Sequence, residues 1–300
     1  SGLRTGVKAQ IMGHELSGSV VRVHRSVTKY SLGQRVAIAP DVSWGECHYC
    51  RRSWVNLCAN HRMIGTHWPG GFAQYIHLPA EVLSHGMVHL MPPGLSYEQA
   101  ALAEPASSVL AAQQNAGIGP GDTVAIFGDG PVGCLHLDIA RLRGASQILM
   151  VGLRRLAQAR AFAPNALIDA ASQDPVAEIR KLTNGLGADV VIVATPVAAT
   201  QALGVEAVRK RGTVILFGGL PESSPTATLN TNLIHYNEIR LVGAFSYPAY
   251  MHEQALLVIN EGKIDSDKYF TRTVSLAEIP VGIKAAEAGA ALKVLVKPWS

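Results

Sequence analysis

The chain has 300 residues, of which 48% are hydrophobic and 16% are charged, and its mean hydropathy is +0.18. That is enough apolar material for one large or two ordinary cores, and it excludes a disordered chain. The 26 basic and 22 acidic side chains give a net charge of +4 without a basic run, which argues against nucleic acid as a partner. No apolar stretch reaches the roughly 18 residues of a membrane-spanning helix, so we expect a soluble chain without a membrane partner. Three of the four cysteines lie between positions 47 and 58, which does not resemble a secreted disulfide framework and predicts a reducing, cytoplasmic setting.

The first hundred residues have the pattern of a small, irregular β domain. Short strands are predicted at 17–24, 34–40 and 70–78, separated by loops rich in Gly, Pro and His. A helix is predicted at 105–117, with Pro105 in its first turn and Gly117 at its end. We expect this helix to lead into a second domain.

From residue 123 onward, short β-branched runs alternate with longer helical patterns. This alternation is typical of an α/β fold with a doubly wound parallel sheet, buried on both faces. A later helix (250–260) and a last strand (293–298) fall outside the alternation and are expected to return to the first domain. The predicted domains are therefore 1–106 with 246–300, and 107–245. The alternating strands are predicted at 123–127, 147–151, 167–169, 188–195, 213–219 and 238–245, and the helices at 131–143, 154–162, 175–184 and 197–211.

A Gly-x-Gly-x-x-Gly motif stands between the first strand and the first helix of this series. Gly128 permits the tight turn, Gly130 lets backbone amides approach a pyrophosphate, and Gly133 lets the helix pack against the strand. Pro131 and Val132 complete the turn, and the helix N-terminus offers unpaired N–H groups to an anion. The motif in this place predicts a dinucleotide site.

The end of the second strand indicates which dinucleotide binds. An NAD-binding fold normally has an acidic residue there, which accepts from the ribose 2′-hydroxyl. Here Gly152 takes that place, and Arg154 and Arg155 follow. Two guanidinium groups without a carboxylate favour the 2′-phosphate of NADP(H) over NAD(H). The alternative is that both arginines belong to a solvated helix start beside an ordinary turn glycine.

Two clusters of possible metal ligands precede the alternating region. Cys47, Cys50 and Cys58 have a spacing that allows a loop to fold around one tetrahedral zinc, although three thiolates are one fewer than a closed structural site requires. The alternative is a loop of reduced, metal-free thiols. Candidates for a fourth ligand are Glu46, His48 and His61, and the sequence does not select among them.

The second cluster consists of a Gly-His-Glu motif and a Glu-Pro pair. His14 and Glu15 precede a strand, and Glu104 stands at the entry to the connecting helix. Taken separately, each has an ordinary structural explanation as a surface group or a favourable first-turn charge. If they face one cleft, an imidazole and two carboxylates form an open zinc site that polarises an oxygen.

Together these motifs resemble the zinc-dependent medium-chain dehydrogenase/reductase superfamily, in the branch that contains sorbitol and threonine dehydrogenases. The resemblance implies a GroES-like β domain that carries the zinc, a Rossmann domain that carries the nicotinamide, and an active site in the cleft between them. The matching segments are GHELSG at 13–18, the Cys-rich loop at 47–58, GGFAQY at 70–75, LAEPASSVL at 102–110, GPGDTVAIFGDGPVG at 119–133, NGLGADVVI at 184–192 and KVLVKPW at 293–299.

The resemblance also implies roles for individual residues. His14 is expected to bind the catalytic zinc, Glu15 to bind it or lie just behind it, and Glu104 to bind it directly or through water. Lys293 has the place of a basic residue that meets the pyrophosphate. Six residues that follow strands are expected in the cofactor site, several of them against the nicotinamide: Thr195, Phe217, Gly218, Gly219, Ala244 and Phe245.

Two departures from the family pattern stand out. The family's Cys-rich loop has four cysteines, and Trp44 takes the place of the first. The family's first catalytic ligand is a cysteine well upstream of the Gly-His-Glu motif, yet only twelve residues precede Gly13. We expect that the N-terminal strands of the β domain, with that cysteine and the usual proton-relay hydroxyl, are missing from this sequence, because a barrel without its first hairpin leaves sheet edges uncovered.

The expected activity is hydride transfer between NADP(H) and a secondary alcohol or polyol, or the corresponding ketone or aldehyde. Two alternatives remain open: a zinc-free quinone or enone reductase of the same superfamily, and a non-catalytic nucleotide-binding homologue that has lost its metal. His67 and Trp68 either reach the cleft or pack under the barrel. A homodimer or homotetramer is expected, with the strand at 238–245 as a possible contact edge.

Overall fold

The computed structural model describes residues 10–300, so residues 1–9 of the predicted first domain lie outside the described residues. The described chain divides into two compact units, 109–245 (the parallel-sheet unit) and 10–108 with 246–300 (the split unit). Their first boundary falls within a helix at Ala103–Ala116, two residues from the predicted position. Among the described helices, none combines the length and apolar character needed to cross a bilayer.

The first part of the split unit is a small sheet centred on one buried strand. The strands are β1 (Leu16–Ser19), β2 (Arg35–Val42), β3 (Arg62–Met63) and β4 (Gly86–Leu90), and β2 pairs antiparallel with each of the other three. Every residue of β2 after Arg35 is buried. The helices are α1 (Ala80–His85), α2 (Tyr97–Ala101) and α3 (Ala103–Ala116), with short 3-10 turns at Cys50–Arg52 and Val55–Leu57.

Two strand predictions in this part are wrong. Residues 70–78 form no strand, because the backbone N–H groups of Gly70, Gly71 and Phe72 donate to carbonyls of the turn at 11–13. A Cβ at Gly70 would lie 2.2 Å from the carbonyl oxygen of Gly13, so the two segments touch through bare backbone. The strand predicted at 17–24 is shorter than expected: β1 ends at Ser19, and its last backbone hydrogen bonds to the chain before β2 join Val20 to Gln34 and Gly33.

The described residues of the parallel-sheet unit form a six-stranded, all-parallel sheet. The spatial order is β10-β9-β8-β5-β6-β7, so the chain leaves β5 toward one edge and then returns to β8 to build the other. This reversal between β5 and β8 is where doubly wound sheets bind ligands, at the carboxyl ends of the strands. The strands are β5 (Thr123–Phe127), β6 (Gln147–Gly152), β7 (Ala166–Asp169), β8 (Ala188–Val193), β9 (Val208–Leu216) and β10 (Arg240–Gly243).

Helices connect these strands and cover both faces of the sheet. One buried cluster joins alternate strand residues, mainly Val, Ile, Leu and Ala, to residues of the helices. The strand residues between them, such as Ile126 and Met150, are buried as well, as burial on both faces requires. The helix after the glycine motif begins with Pro131 and has seven buried residues. The helices are α4 (Pro131–Leu142), α5 (Leu156–Ala159, followed by a 3-10 turn at Arg160–Phe162), α6 (Pro175–Leu182), α7 (Ala198–Ala207) and α8 (Thr231–Tyr236).

The helix predicted at 197–211 is too long, and the strand predicted at 213–219 starts too late. Helix α7 ends at Ala207, and Val208 already pairs with Ala188 on β8. The register then shifts across a bulge that contains Arg211, whose φ is +57°. Gly212 is therefore a bulge glycine rather than a helix stop, since a Cβ there would lie 2.5 Å from Val208.

The C-terminal residues return to the split unit. Helix α9 (Ala249–Asn260) is followed by a 3-10 turn at Ser266–Lys268, by β11 (Phe270–Val274), by α10 (Ile279–Glu287) and by β12 (Lys293–Val296). Strands β11 and β12 pair in parallel. The predicted α/β fold class, with a small β domain and a Rossmann-type doubly wound parallel sheet, is confirmed.

Candidate metal centre and dinucleotide site

The glycine motif after β5 has the local geometry that its sequence predicts. Gly128 has a φ of +132°, a region that side chains rarely adopt, and its N–H donates to Val151 of β6. A Cβ at Gly133 would lie 1.9 Å from the carbonyl oxygen of Gly128, so α4 packs against the turn as closely as a glycine allows. A Cβ at Gly130 would meet nothing within 4 Å. The turn therefore leaves open space at the position where a pyrophosphate approaches the backbone.

The other predicted cofactor residues of this unit follow the carboxyl ends of neighbouring strands. Thr195 comes after β8 and exchanges a hydroxyl hydrogen bond of 2.6 Å with Thr200. Phe217 and Gly218 come after β9, and both donate their backbone N–H to Val193. Gly218 has no room for a side chain, since a Cβ would lie 2.3 Å from the oxygen of Thr195, whereas Gly219 is open. Ala244 and Phe245 follow β10 at the same end of the sheet.

An acidic side chain that the sequence analysis did not identify lies against the end of β6. Asp129, the second residue of the glycine motif, is 8% exposed. Its Oδ2 accepts the backbone N–H groups of Leu153, Arg154 and Arg155 at 2.9, 2.9 and 2.6 Å. Both Asp129 and Gly152 line a cavity of about 100 Å³ at the strand ends. The sequence contains one signal for this contact. An acidic residue stands inside the glycine motif, and a glycine takes the position where an NAD-binding fold normally has its ribose-binding acid.

In the split unit, the structure brings together the three predicted catalytic residues. One ligand atom each of His14, Glu15 and Glu104 lies within 4.8 Å of the other two. The ring of His14 is exposed and both carboxylates are partly buried. His14 and Glu15 are held by the turn before β1, where Gly13 has a φ of +94° and a Cβ would clash with Phe72 at 2.9 Å. Glu104 comes from the first turn of α3.

The electrostatics of Glu104 fit a bound cation. Burial, followed by the negative charge of Glu15, raises the pKa of the Glu104 carboxyl group to about 8. Tyr247 opposes this shift, since its hydroxyl donates to Oε1 of Glu104 at 3.0 Å. A divalent cation between these groups would compensate both carboxylates, and imidazole nitrogen and carboxylate oxygen are both ligands of catalytic zinc. The residues present therefore fit a zinc ion.

Lys293, predicted to meet the pyrophosphate, lies at the start of β12 with its ammonium group paired to the carboxylate of Glu15. Its positive charge also opposes the rise in the pKa of Glu104. Within the described part of the split unit, its partner is thus Glu15 of the candidate metal centre. Its role toward a cofactor stays a prediction.

The three cysteines of the loop converge. The sulfur of Cys47 lies 3.4 Å from that of Cys50 and 4.0 Å from that of Cys58, and a tetrahedral zinc with thiolate bonds of 2.3 Å separates its sulfurs by about 3.8 Å. The backbone N–H of Ala59 is the main cause that lowers the pKa of the Cys47 thiol to about 6, whereas burial raises that of Cys50. The three thiols are arranged as ligands, but they do not by themselves complete a four-ligand site.

None of the proposed fourth ligands joins this cluster in the described part of the chain. The Nε2 of His61 faces Asp41 at 3.0 Å, and the Nδ1 of His48 faces Arg52 at 3.1 Å, while Glu46 is exposed. At the position of the missing cysteine, the backbone N–H of Trp44 donates to the sulfur of Cys58 at 3.2 Å. A backbone donor therefore stands where the family pattern has a ligand.

The structure also shows the surroundings of His67 and Trp68, for which the sequence left two locations possible. Trp68 packs against the core of the split unit, and the guanidinium of Arg62 lies 5.9 Å from the centre of its ring. The Nδ1 of His67 accepts the backbone N–H of Met63 at 3.0 Å. The packing alternative therefore describes Trp68.

Comparison with known proteins adds an independent observation. Residues 3–93 match the profile of the alcohol dehydrogenase GroES-like domain, and residues 131–261 match that of zinc-binding dehydrogenase. Over 298 residues the chain is 34% identical to sorbitol dehydrogenase of Bacillus subtilis (strain 168), which covers 97% of this chain and 82% of that protein. It is 31% identical to D-arabitol-phosphate dehydrogenase of Enterococcus avium over 96% of this chain and 81% of that protein.

Among solved structures, one from Sinorhizobium meliloti 1021 is assigned as a zinc-binding dehydrogenase and has NADP bound. It superposes with a TM-score of 0.89 at 32% identity, covering 97% of this chain and 85% of that one.

Proposed function

Because this chain belongs to the zinc-dependent medium-chain dehydrogenases, in the sorbitol dehydrogenase branch, we propose that it transfers a hydride between NADP(H) and a secondary alcohol or polyol, or the matching ketone or aldehyde. The observation that carries the proposal is the convergence of His14, Glu15 and Glu104 in a chain that also contains an open glycine cradle after β5. A zinc-free quinone or enone reductase needs the cradle but has no need of the convergent imidazole and carboxylates.

His14 and Glu104 would hold the metal, with Glu15 at or beside it. A zinc ion bound there would supply a Lewis acid able to polarise the substrate oxygen. The chain's own residues prepare the place: Tyr247 orients one oxygen of Glu104 by hydrogen bonding, and Lys293 balances the charge of Glu15. These contacts keep two neighbouring carboxylates in fixed positions.

The preference for NADP(H) rests on the residues that follow β6. Gly152 supplies no carboxylate to the ribose, and the exposed Arg154 and partly buried Arg155 come directly after it. Guanidinium groups suit a 2′-phosphate because they donate charge-assisted, bidentate hydrogen bonds. The S. meliloti relative was solved with NADP, which supports the same preference. Since NADPH is usually the reduced partner in cells, we propose carbonyl reduction as the favoured direction.

We also propose a homodimer or homotetramer in a reducing, cytoplasmic setting. Strand β10 ends the six-stranded sheet with three of its four residues exposed, which makes it a candidate contact edge. Light scattering on the purified protein measures the assembly.

The function is tested by metal analysis of the purified protein, fluorescence titration with NADPH and NADH, and turnover on a panel of ketones, aldehydes and polyols. We expect about one zinc per chain, tighter binding of NADPH and turnover that chelation removes. Two zinc ions per chain would instead assign metal to the three cysteines. Turnover that survives chelation would favour the zinc-free reductase, and a protein without zinc or turnover would favour a non-catalytic homologue.

A matched pair of variants tests whether zinc binding and turnover depend on the candidate metal centre formed by His14, Glu15 and Glu104. In Glu104→Gln, both zinc affinity and turnover should fall by more than 10- to 100-fold, which is the usual effect of a mutation next to a metal ligand. Glu98→Gln, which removes a carboxylate paired with Lys297 on the same unit, should retain both. If the two variants behave alike, Glu104 is not a ligand.

A further inference from the structure

The loop after β6 is held by a side chain from the glycine turn. Three consecutive backbone N–H groups, those of residues 153–155, converge on a single oxygen of Asp129 at 2.6–2.9 Å. Successive N–H groups that point to one place form an anion-binding concavity. Here the anion is a carboxylate of the same chain, so the concavity is already filled.

The same carboxylate closes the neighbouring position to any side chain. A Cβ built on Gly152 would lie 2.5 Å from Cβ, Cγ and Oδ2 of Asp129, closer than real atoms approach. Gly152 does not have a positive φ, so its backbone would accept another residue. Sterics alone therefore exclude a side chain there, and the excluding group is Asp129.

These two contacts bear on the ribose of a bound dinucleotide. NAD-binding folds use an acidic side chain at the end of the second strand, whose free oxygens accept from the ribose hydroxyls. In this chain an acid reaches that place from the first turn, but one of its oxygens accepts three backbone hydrogen bonds. The residues whose backbone it holds include Arg154 and Arg155, the two candidates for a 2′-phosphate.

We propose that Asp129 is a specificity-determining residue for the cofactor: it holds the loop that presents Arg154 and Arg155 to the 2′-phosphate, and it keeps position 152 free of the ribose-binding acid. Asp129 and Gly152 then act as one unit, because neither can change alone without disturbing the other. This proposal deepens the NADP(H) preference proposed above and rests on it for its direction.

The coupling is tested first without any cofactor, by thermal unfolding of Gly152→Ala, Asp129→Gly and the double variant, because only glycine at 129 also removes the Cβ that faces Gly152. We expect Gly152→Ala to lower the unfolding midpoint in the wild-type background and to have little effect once Asp129 is replaced. Such non-additivity measures the contact between the two positions. Additive effects, or a Gly152→Ala variant as stable as the wild type, would overturn the proposal.

Specificity is tested by fluorescence titration of NADPH and NADH against Gly152→Asp, Asp129→Gly and their combination. Gly152→Asp alone should weaken both cofactors at least about tenfold, since the new carboxylate and Asp129 compete for one place. Asp129→Gly should lower the NADPH preference about tenfold, because the arginine loop loses its anchor. The combined variant should bind NADH more tightly than either single variant and prefer it over NADPH.

Asp122→Gly is the matched control. Its carboxylate also accepts a backbone N–H, from Gly119 at 2.9 Å, but it precedes β5 at the opposite end of the strand. This variant should change stability without changing the ratio of the two affinities. If Asp129→Gly leaves that ratio unchanged or binds NADPH more tightly, Asp129 does not present the arginines and the proposal fails.

The two proposals can fail separately. A wild-type protein that prefers NADH contradicts the proposed NADP(H) preference, and with it the direction of the effect assigned to Asp129. The unfolding cycle is independent of which cofactor the wild type prefers, so it decides by itself whether positions 129 and 152 form one unit.

Discussion

Two carboxylates of this chain sit in opposite electrostatic surroundings. Asp129 accepts three backbone N–H groups, which compensate its charge within the protein. Glu104 has one hydroxyl donor and an acidic neighbour, Glu15, and the pKa of its carboxyl group rises to about 8. The first carboxylate is thus satisfied by the chain and the second is not. This difference separates a residue that orders a loop from one that is suited to bind a cation.

The hydroxyl of Tyr247 is expected to position Glu104 for the metal. Tyr247 is fully buried, and its hydroxyl lies 3.0 Å from Oε1 of Glu104. Tyr247→Phe removes that donor and little else, so we expect zinc affinity to fall about 10- to 100-fold, as it does when the partner of a metal ligand is removed. Competition with a chromogenic zinc chelator measures the change.

Tyr30→Phe is the control for this experiment. Tyr30 is also buried in the split unit, and its hydroxyl donates to the carbonyl of Val88 at 2.8 Å, away from the metal group. It should lose stability comparable to Tyr247→Phe and keep its zinc affinity. Equal zinc affinities in the two variants would mean that Tyr247 only fills space.

At the scale of the element, two glycines of the turn after β5 are expected to have different roles, one in folding and one in cofactor binding. Gly133→Ala places a methyl group 1.9 Å from a backbone oxygen, so we expect it to push α4 away from the sheet and lower the unfolding midpoint by several degrees. Gly130→Ala adds the same group in open space at an ordinary φ of −83°, so the fold should remain. Its NADPH affinity should nevertheless fall at least about tenfold, because the methyl group occupies the approach of the pyrophosphate.

Thermal unfolding and NADPH titration of these two variants check both parts of that prediction. A Gly130→Ala protein that binds NADPH as tightly as the wild type would place the pyrophosphate elsewhere. A Gly133→Ala protein with an unchanged midpoint would show that α4 can shift without cost.

Elements were predictable from sequence where the pattern itself creates the structure. Helix α4 starts at Pro131 as predicted, because proline pre-sets the first turn and the glycine motif precedes it. The prediction failed at Gly212, which resembles a helix stop but lies in a strand bulge. It also failed at 70–78, where a segment with an alternating pattern forms backbone hydrogen bonds to a distant turn instead of to a strand. In both places a tertiary contact overrides a local preference.

At the scale of the whole molecule, each unit contains a histidine that is buried in its neutral form. Burial lowers the pKa of His136 in the parallel-sheet unit and of His252 in the split unit to about 3 in each case. His252 packs against His89, whose charge adds to the shift and which pairs with Glu253. His136 contacts Gln113 and the edge of Phe217.

These histidines predict that both units lose stability in acid. The unfolded chain takes up their protons near pH 6.5 and the folded chain only near pH 3, so between these values the unfolded state binds more protons. The free energy of unfolding should therefore fall as the pH drops through this window, by up to about 1.4 kcal/mol per pH unit for each histidine. Denaturant unfolding at pH 7 and pH 4.5 measures the fall.

Non-titrating variants isolate that effect from the carboxylates. His136→Gln and His252→Gln should each show a smaller loss between the two pH values than the wild type, whatever their stability at pH 7. His24→Gln replaces an exposed histidine and should keep the wild-type pH dependence. An unchanged slope in the two buried variants would mean that these rings are protonated in the folded protein.

The sequence by itself determined the alternating α/β series, the glycine turn, the two groups of candidate metal ligands and the family, because each follows from residue types at fixed short spacings. Only the tertiary structure decided which of those residues meet. It brought Glu104 to His14 and Tyr247 to Glu104 across ninety residues and more, directed His61 to Asp41 instead of to the cysteines, and placed Asp129 over Gly152. Periodicity sets the local backbone, whereas contacts between distant segments depend on how several elements pack at once, and a spacing along the chain contains no record of that packing.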